Sequence, residues 1–102
     1  MNVEWTIPAI GDLDQIEEYI ARNNPENAIR FINQLLDLGD SLEDETVYRR
    51  GNPALWIDDE NIRELYYHGY TIVYEICDTT IRIHEVYNQK RIHLRYGKRR
   101  YS

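Results

Sequence analysis

The side chains able to do chemistry lie from Arg63 onward in this 102-residue chain. Arg63 reads in two ways: a cation facing a phosphate or a protein target, or a structural arginine paired with an acid such as Glu75 or Glu85. His84 titrates near neutrality when unperturbed and so could carry a proton, but a lone strand histidine is as readily a packing or surface residue. Tyr87 and Tyr96 carry rings on which nucleic-acid bases stack, a contact worth about 1–3 kcal/mol per base. In a chain with nine tyrosines some fall near the C-terminal end in any case, and for Tyr87 packing at the core or its rim is the preferred reading. The terminal stretch NQKRIHLRYGKRRYS, residues 88–102, holds six Lys or Arg and no acid. Within it Arg91 is the preferred contact for an anionic partner. Three scattered histidines give no metal site, and no nucleophile–base pair, glycine-rich phosphate loop or cofactor signature is present. No cofactor is expected.

The formal charge of -6 is a sum of opposites. Residues 1–60 hold fourteen acids and four bases, whereas residues 61–102 hold four acids and eight bases. Salt screens surface charge over roughly 8 Å at physiological ionic strength, so a partner approaching the C-terminal end meets its local positive charge. Acidic composition therefore does not exclude a polyanion. The single Cys77 rules out an internal disulfide and reads as a buried thiol. There is neither a signal-peptide pattern nor an apolar run long enough for a membrane span, so a cytoplasmic protein without membrane partners is expected.

The elements that must position these residues follow from periodicity. NVEWTI, residues 2–7, alternates as a strand with Val3, Trp5 and Ile7 on its buried side, stopped by Pro8. From Ala9 to about Arg22, Leu13, Ile16 and Ile20 recur at helical spacing with Tyr19 beside them and Asp14, Glu17 and Glu18 outside. Asn24 caps and Pro25 opens a second helix reaching to about Leu42, with Gly39 a weak point near its end. Residues 43–60 have no clear period; Leu55 and Trp56 are expected to pack down, with ALWI, residues 54–57, as a plug or short extended piece. NIRELYY, YTIVYEI and TIRIHEVY then form an antiparallel meander through His68-Gly69 and Asp78-Thr79 turns. The fold class is α+β, in the order β-α-α-β-β-β, with a small antiparallel sheet and a helical hairpin on one face. Residues 1–102 make one domain, ending in a flexible basic extension from Gly97.

Several quoted positions carry a resemblance. Ala9, Asp12-Leu13, Ile16 and Tyr19-Ile20 in the first helix are followed by Asn24-Pro25 and Ala28 in the second. The strands add Ile62-Arg63-Glu64-Leu65, the alternation Tyr70, Ile72, Tyr74, Ile76, and then Val86, Asn88 and Arg91. In this order they resemble the RelE/ParE toxin superfamily, closest to its ParE, or plasmid-stabilisation, branch, from Trp5 to Arg91. The resemblance implies a bacterial toxin of a type II toxin–antitoxin pair, neutralised by a cognate antitoxin. In ParE-like members the target is DNA gyrase; in RelE-like members the toxin is an endonuclease that cuts messenger RNA on the ribosome.

The residues discriminate between these branches. Cleavage through the 2′-hydroxyl needs a base, cations for the phosphorane charge and an acid for the leaving oxygen. Thr71 stands where such a nuclease holds an arginine, and Ile62 and Glu64 flank Arg63 where lysines are expected. Gyrase binding is thus the preferred reading, with Arg63, Asn88, Lys90, Arg91 and Arg95 as target contacts. On the alternative, ribosome-dependent nuclease reading, Arg63, His84, Arg91 and Tyr96 are the catalytic set. Asn88 replaces a histidine common in ParE-like chains, and with Thr71 it leaves a third reading, a degenerate member without toxicity.

Overall fold

In the computed structural model, which describes residues 1–54 and 57–89, Val3 and Trp5 point toward the core along a short strand β1 (Asn2–Trp5). Thr6 turns the chain at once into α1 (Ile7–Ala21), accepting the Ala9 N–H at 3.3 Å and donating its hydroxyl to the Ile83 carbonyl at 2.7 Å. The expected strand is therefore two residues shorter. Pro8 does not stop a strand but sits in the first helical turn, where no N–H is needed, and Ile7 is 86 % exposed instead of buried.

Asn24 caps α2 (Pro25–Asp40) through the Asn27 N–H at 3.0 Å, as the AsnPro pair leads one to expect. A 3-10 turn (Ser41–Glu43) buries Leu42 completely. Gly39 is not a weak point. A Cβ there would lie on the Trp5 ring, 2.6 Å from Cη2, and 3.0 Å from Ile83 Cδ1, so the missing side chain is what lets α2 approach β1. The stretch without a period contains a one-turn helix α3 (Glu45–Tyr48) and a two-residue strand β2 (Asn52–Pro53). Its burial rests on single residues, Tyr48 and Ala54, which leave no repeat to read. Leu55 and Trp56 lie outside the described residues.

The meander follows as β3 (Ile62–Tyr67), β4 (Tyr70–Ile76) and β5 (Thr80–Asn88). His68 and Gly69 both take positive φ, 46° and 84°, the conformation that matches a two-residue turn to strand twist. The sheet order is β1-β5-β4-β3-β2. All neighbours are antiparallel except β1, which pairs with β5 in parallel, Val3 opposite Ile81 and Trp5 opposite Ile83. The sheet is thus mixed: β1 meets β5 only after the helical hairpin has crossed the sheet, and no tight turn dictates their relative direction.

Both helices pack on one face, where Leu13, Ile16 and Leu35 meet Ile72, Tyr74, Ile81, Ile83 and Val86. The opposite face is also partly closed, by Ala54 and Ile57 over Ile62, Val73 and Tyr87. Strand β4 is consequently buried on both sides from Thr71 to Tyr74. Cys77 is only partly buried, at the turn into β5; burial and the neighbouring Glu75 carboxylate push its thiol pKa up. Among the described residues no helix is long and apolar enough to cross a membrane.

Candidate functional site

Strand β5 sets the geometry. Val73 pairs with Glu85 but Tyr74 pairs with Ile83, so His84 is an extra residue, a β-bulge that reverses the alternation. Before it, Ile81 and Ile83 face the helices; after it, Val86 does. Arg82, His84, Glu85 and Tyr87 therefore share the opposite face with Glu64, Thr71 and Glu75. Helix α1 completes the outer edge of β5 where β1 has ended: Asp12, itself buried, accepts the Val86 N–H at 3.0 Å.

That opposite face is acidic. His84 Nε2 lies 2.8 Å from Glu75 Oε1, as expected for a residue on the side away from Ile81 and Ile83. Arg82 donates to Glu4 across the β1–β5 pair at 3.0 Å and lies 4.0 Å from Glu75. Glu64 accepts the Tyr87 hydroxyl at 3.0 Å and the Tyr66 hydroxyl at 3.4 Å. Glu64 and Glu85 are both buried, and burial followed by the Glu64 charge pushes the Tyr87 phenol pKa up. Tyr87 is a packing residue, as expected, but one that also holds a buried carboxylate.

Arg63 has neither of the partners its sequence position suggests. It pairs in register with Tyr74 and so shares the helix side of the sheet, whereas Glu75 and Glu85 face the other side. Its Nη1 instead donates to the Gly51 carbonyl at 3.0 Å, beside the Tyr74 hydroxyl, which donates to the Tyr48 carbonyl at 2.7 Å. Together they hold residues 48–51 on the sheet. Asn88 ends β5 opposite Tyr70, and Gln89 N–H donates to the Gly69 carbonyl at 2.9 Å, so the described chain stops beside the β3–β4 turn. Tyr74 and Tyr70 mark the two rows, about 13 Å apart along β4 at some 3.3 Å per residue. Arg63 and His84 are thus on opposite faces, and Arg63 and Asn88 near opposite ends; these three do not converge. Lys90, Arg91, Arg95 and Tyr96 lie outside the described residues.

The buried set Glu64, Glu85 and Tyr87 was missed by residue-by-residue reading. Period two does place Glu64 beside Ile62 on one face, but Glu85 reaches that face only because of the bulge. No glycine or proline marks it. Among the described residues no group of three His, Cys, Asp or Glu is arranged to hold a metal ion.

A small mixed sheet backed by an N-terminal helical hairpin, its strands running on from a β1 edge, is the fold of the RelE/ParE toxins. Residues 3–93 match the family model of the ParE toxin of type II toxin–antitoxin system, parDE, and the chain belongs to that family. Among solved structures it is similar to the chromosomal ParDE toxin–antitoxin system from P. aeruginosa, at 21 % identity and TM-score 0.74, covering 86 % of this chain and 95 % of that one. It is also similar to the RelBE2 toxin–antitoxin complex from Mycobacterium tuberculosis, at 22 % identity and TM-score 0.62, covering 85 % and 88 %. The E. coli DinJ–YafQ complex follows at 16 % identity and TM-score 0.52, covering 87 % and 93 %. No curated protein matches the sequence.

Proposed function

We propose that this toxin arrests growth by binding DNA gyrase, without chemistry of its own, and that a cognate antitoxin encoded with it keeps it inactive in the cytoplasm. One observation supports binding over RNA cleavage: the sheet face away from the helices carries Glu64, Glu75 and Glu85, while, among the described residues on that face, Arg82 and His84 are engaged with Glu4 and Glu75. A phosphorane needs positive charge preorganised around it, and an acidic face repels it. Thr71, where a nuclease would place an arginine, is buried between neighbouring strands. Target contact then falls to Asn88, Lys90, Arg91 and Arg95 around the end of β5.

The deciding measurement pairs two assays on one preparation: supercoiling by purified gyrase, and cleavage of a message on stalled ribosomes. Inhibited supercoiling with intact message is expected. Message cleavage with unaffected gyrase would transfer the function to the nuclease reading, in which Arg63, His84, Arg91 and Tyr96 act on RNA. Growth unaffected by induction of soluble protein would identify a member that has kept the fold and lost toxicity. The antitoxin is tested by co-expressing the short reading frame adjoining the gene and recovering growth.

A further inference from the structure

Helix α1 turns one stripe of residues to solvent. Ile7, Ile10, Gly11, Asp14, Glu17 and Glu18 follow one another at helical spacing, on the side opposite Ala9, Leu13 and Ile16, which pack in the core. The stripe begins apolar and continues acidic. Ile7 is 86 % exposed and Ile10, one turn on, 47 %. The helix holds four acids and no base, and of those acids Asp12 alone is buried against the sheet. Single exposed apolar side chains are ordinary on a protein surface, but these two adjoin a glycine that the fold does not explain. At Gly39 and Gly51 a Cβ would strike a neighbouring ring, and at Gly69 φ is positive; at Gly11 a Cβ would have nothing within 4 Å. Glycine in a helix interior is costly, and within this molecule nothing at Gly11 offsets that cost. What the missing side chain does leave is room for another backbone to come close beside the two isoleucines.

We propose that the outer stripe of α1 is the docking surface for a helical segment of the antitoxin. That segment carries apolar residues at i and i+3 or i+4 to cover Ile7 and Ile10, crosses closely over Gly11, and bears Lys or Arg one to two turns further on to meet Asp14, Glu17 and Glu18. Charge selects this occupant. A second copy of the same helix would set acid against acid, whereas a basic amphipathic helix matches both halves of the stripe. The stripe is an anchor beside the target-contact end and not over it. Thr6 seats the start of α1 at Ile83, five residues before Asn88, a distance of about 16 Å along β5 at some 3.3 Å per residue. The inference rests on the antitoxin reading above and is independent of which target the toxin has.

Calorimetric titration of the full-length chain with the protein encoded by the adjoining short reading frame tests this. An Ile7→Ser/Ile10→Ser variant is expected to bind at least about tenfold more weakly than the parent. Gly11→Gln is expected to bind more weakly by a similar factor while raising the thermal midpoint of the toxin alone, since Gln is a better helix former than Gly. Those opposite signs separate a contact from a folding defect. Asp14→Lys/Glu18→Lys is expected to lose about tenfold at low salt and to flatten the salt dependence of binding. Binding unchanged in either the isoleucine or the glycine variant overturns the proposal and leaves the antitoxin reading intact. A protein from the adjoining frame that does not bind the parent defeats that reading, and the proposal with it. Variants that bind it as the parent does but no longer arrest growth assign the stripe to the target. A parent that sediments as a dimer, made monomeric by the isoleucine variant, assigns it to a second copy. Either result overturns the proposal.

Discussion

The Asp12 carboxylate in α1 accepts the backbone N–H of Val86 in β5 at 3.0 Å, seventy-four residues later in the chain. Parallel pairing with β1 ends at Ile83, and beyond it the outer edge of β5 needs an acceptor from elsewhere. A helix side chain supplies it, and Ala9 and Leu13 on the same helix bury the apolar surface around the bond. Replacing Asp12 by Ala leaves a buried N–H unpaired and is expected to cost about 1–3 kcal/mol. Asn, which keeps one acceptor, is expected to cost less. Urea unfolding of the two variants checks the order, and an Ala variant as stable as the parent would refute the role.

Gly39 gives a prediction whose sign opposes helix propensity. Ala in a helix interior gains up to about 1 kcal/mol over Gly. Here its methyl would strike the Trp5 ring, itself held by a hydrogen bond from Nε1 to Asp40 at 3.1 Å. Gly39→Ala is expected to destabilise by about 1–3 kcal/mol and to shift Trp5 fluorescence. Shortening the ring in a Gly39→Ala/Trp5→Leu pair should make the alanine less costly than it is beside Trp5, which a double-mutant cycle measures.

Tyr74 predicts alkaline behaviour. Its pKa is raised from 10.0 to about 12, chiefly by burial, with Arg63 and a backbone hydrogen bond acting against the shift. A folded-state pKa above the unfolded one means the native state binds the proton more tightly. The stabilisation is complete below about pH 10 and is lost as pH rises toward 12. Tyr74→Phe is expected to make the decline of stability above pH 10 shallower without abolishing it, because Tyr87 shifts in the same direction. Phenolate absorbance against pH, beside denaturant unfolding at each pH, measures both effects.

Arg63 and Arg91 should separate stability from toxicity. The Arg63 guanidinium holds the Gly51 carbonyl on the helix side of the sheet, and Arg63→Met is expected to cost about 1 kcal/mol or somewhat more. The folded variant should still inhibit supercoiling. Arg91→Ala, in the basic segment, is expected to leave the unfolding free energy within about 0.5 kcal/mol of the parent and to abolish inhibition. Equal loss of inhibition in the two folded variants would place Arg63 in the contact surface after all.

Much of the fold was legible because the signals are local. The AsnPro capping of α2, the two helical faces and the three strands with the His68-Gly69 turn all emerge from periods and caps spanning a few residues. The positions that carry the family resemblance have structural reasons: Ala9, Leu13 and Ile16 pack in the core, Asp12 completes the sheet edge, and Tyr74 fastens the Tyr48 loop. Tyr74 also explains Gly51, where any Cβ would meet its hydroxyl. The helix start was harder, because Pro8 suits both a strand end and a first helical turn, and only the Thr6 bonds to Ala9 and Ile83 distinguish them.

By itself the sequence determined the element types, the toxin family and the opposition of an acidic body to a basic end, since each depends on composition or on neighbours within a turn or a strand. Tertiary structure decided the parallel seat of β1, the need for glycine at position 39, the Gly51 partner of Arg63 and the bulge at His84. These depend on register between strands and on close approach between elements far apart in the chain. A one-residue bulge moves every later side chain of β5 to the other face, which is how Glu85 and Tyr87 come to join Glu64, and no local pattern encodes that displacement.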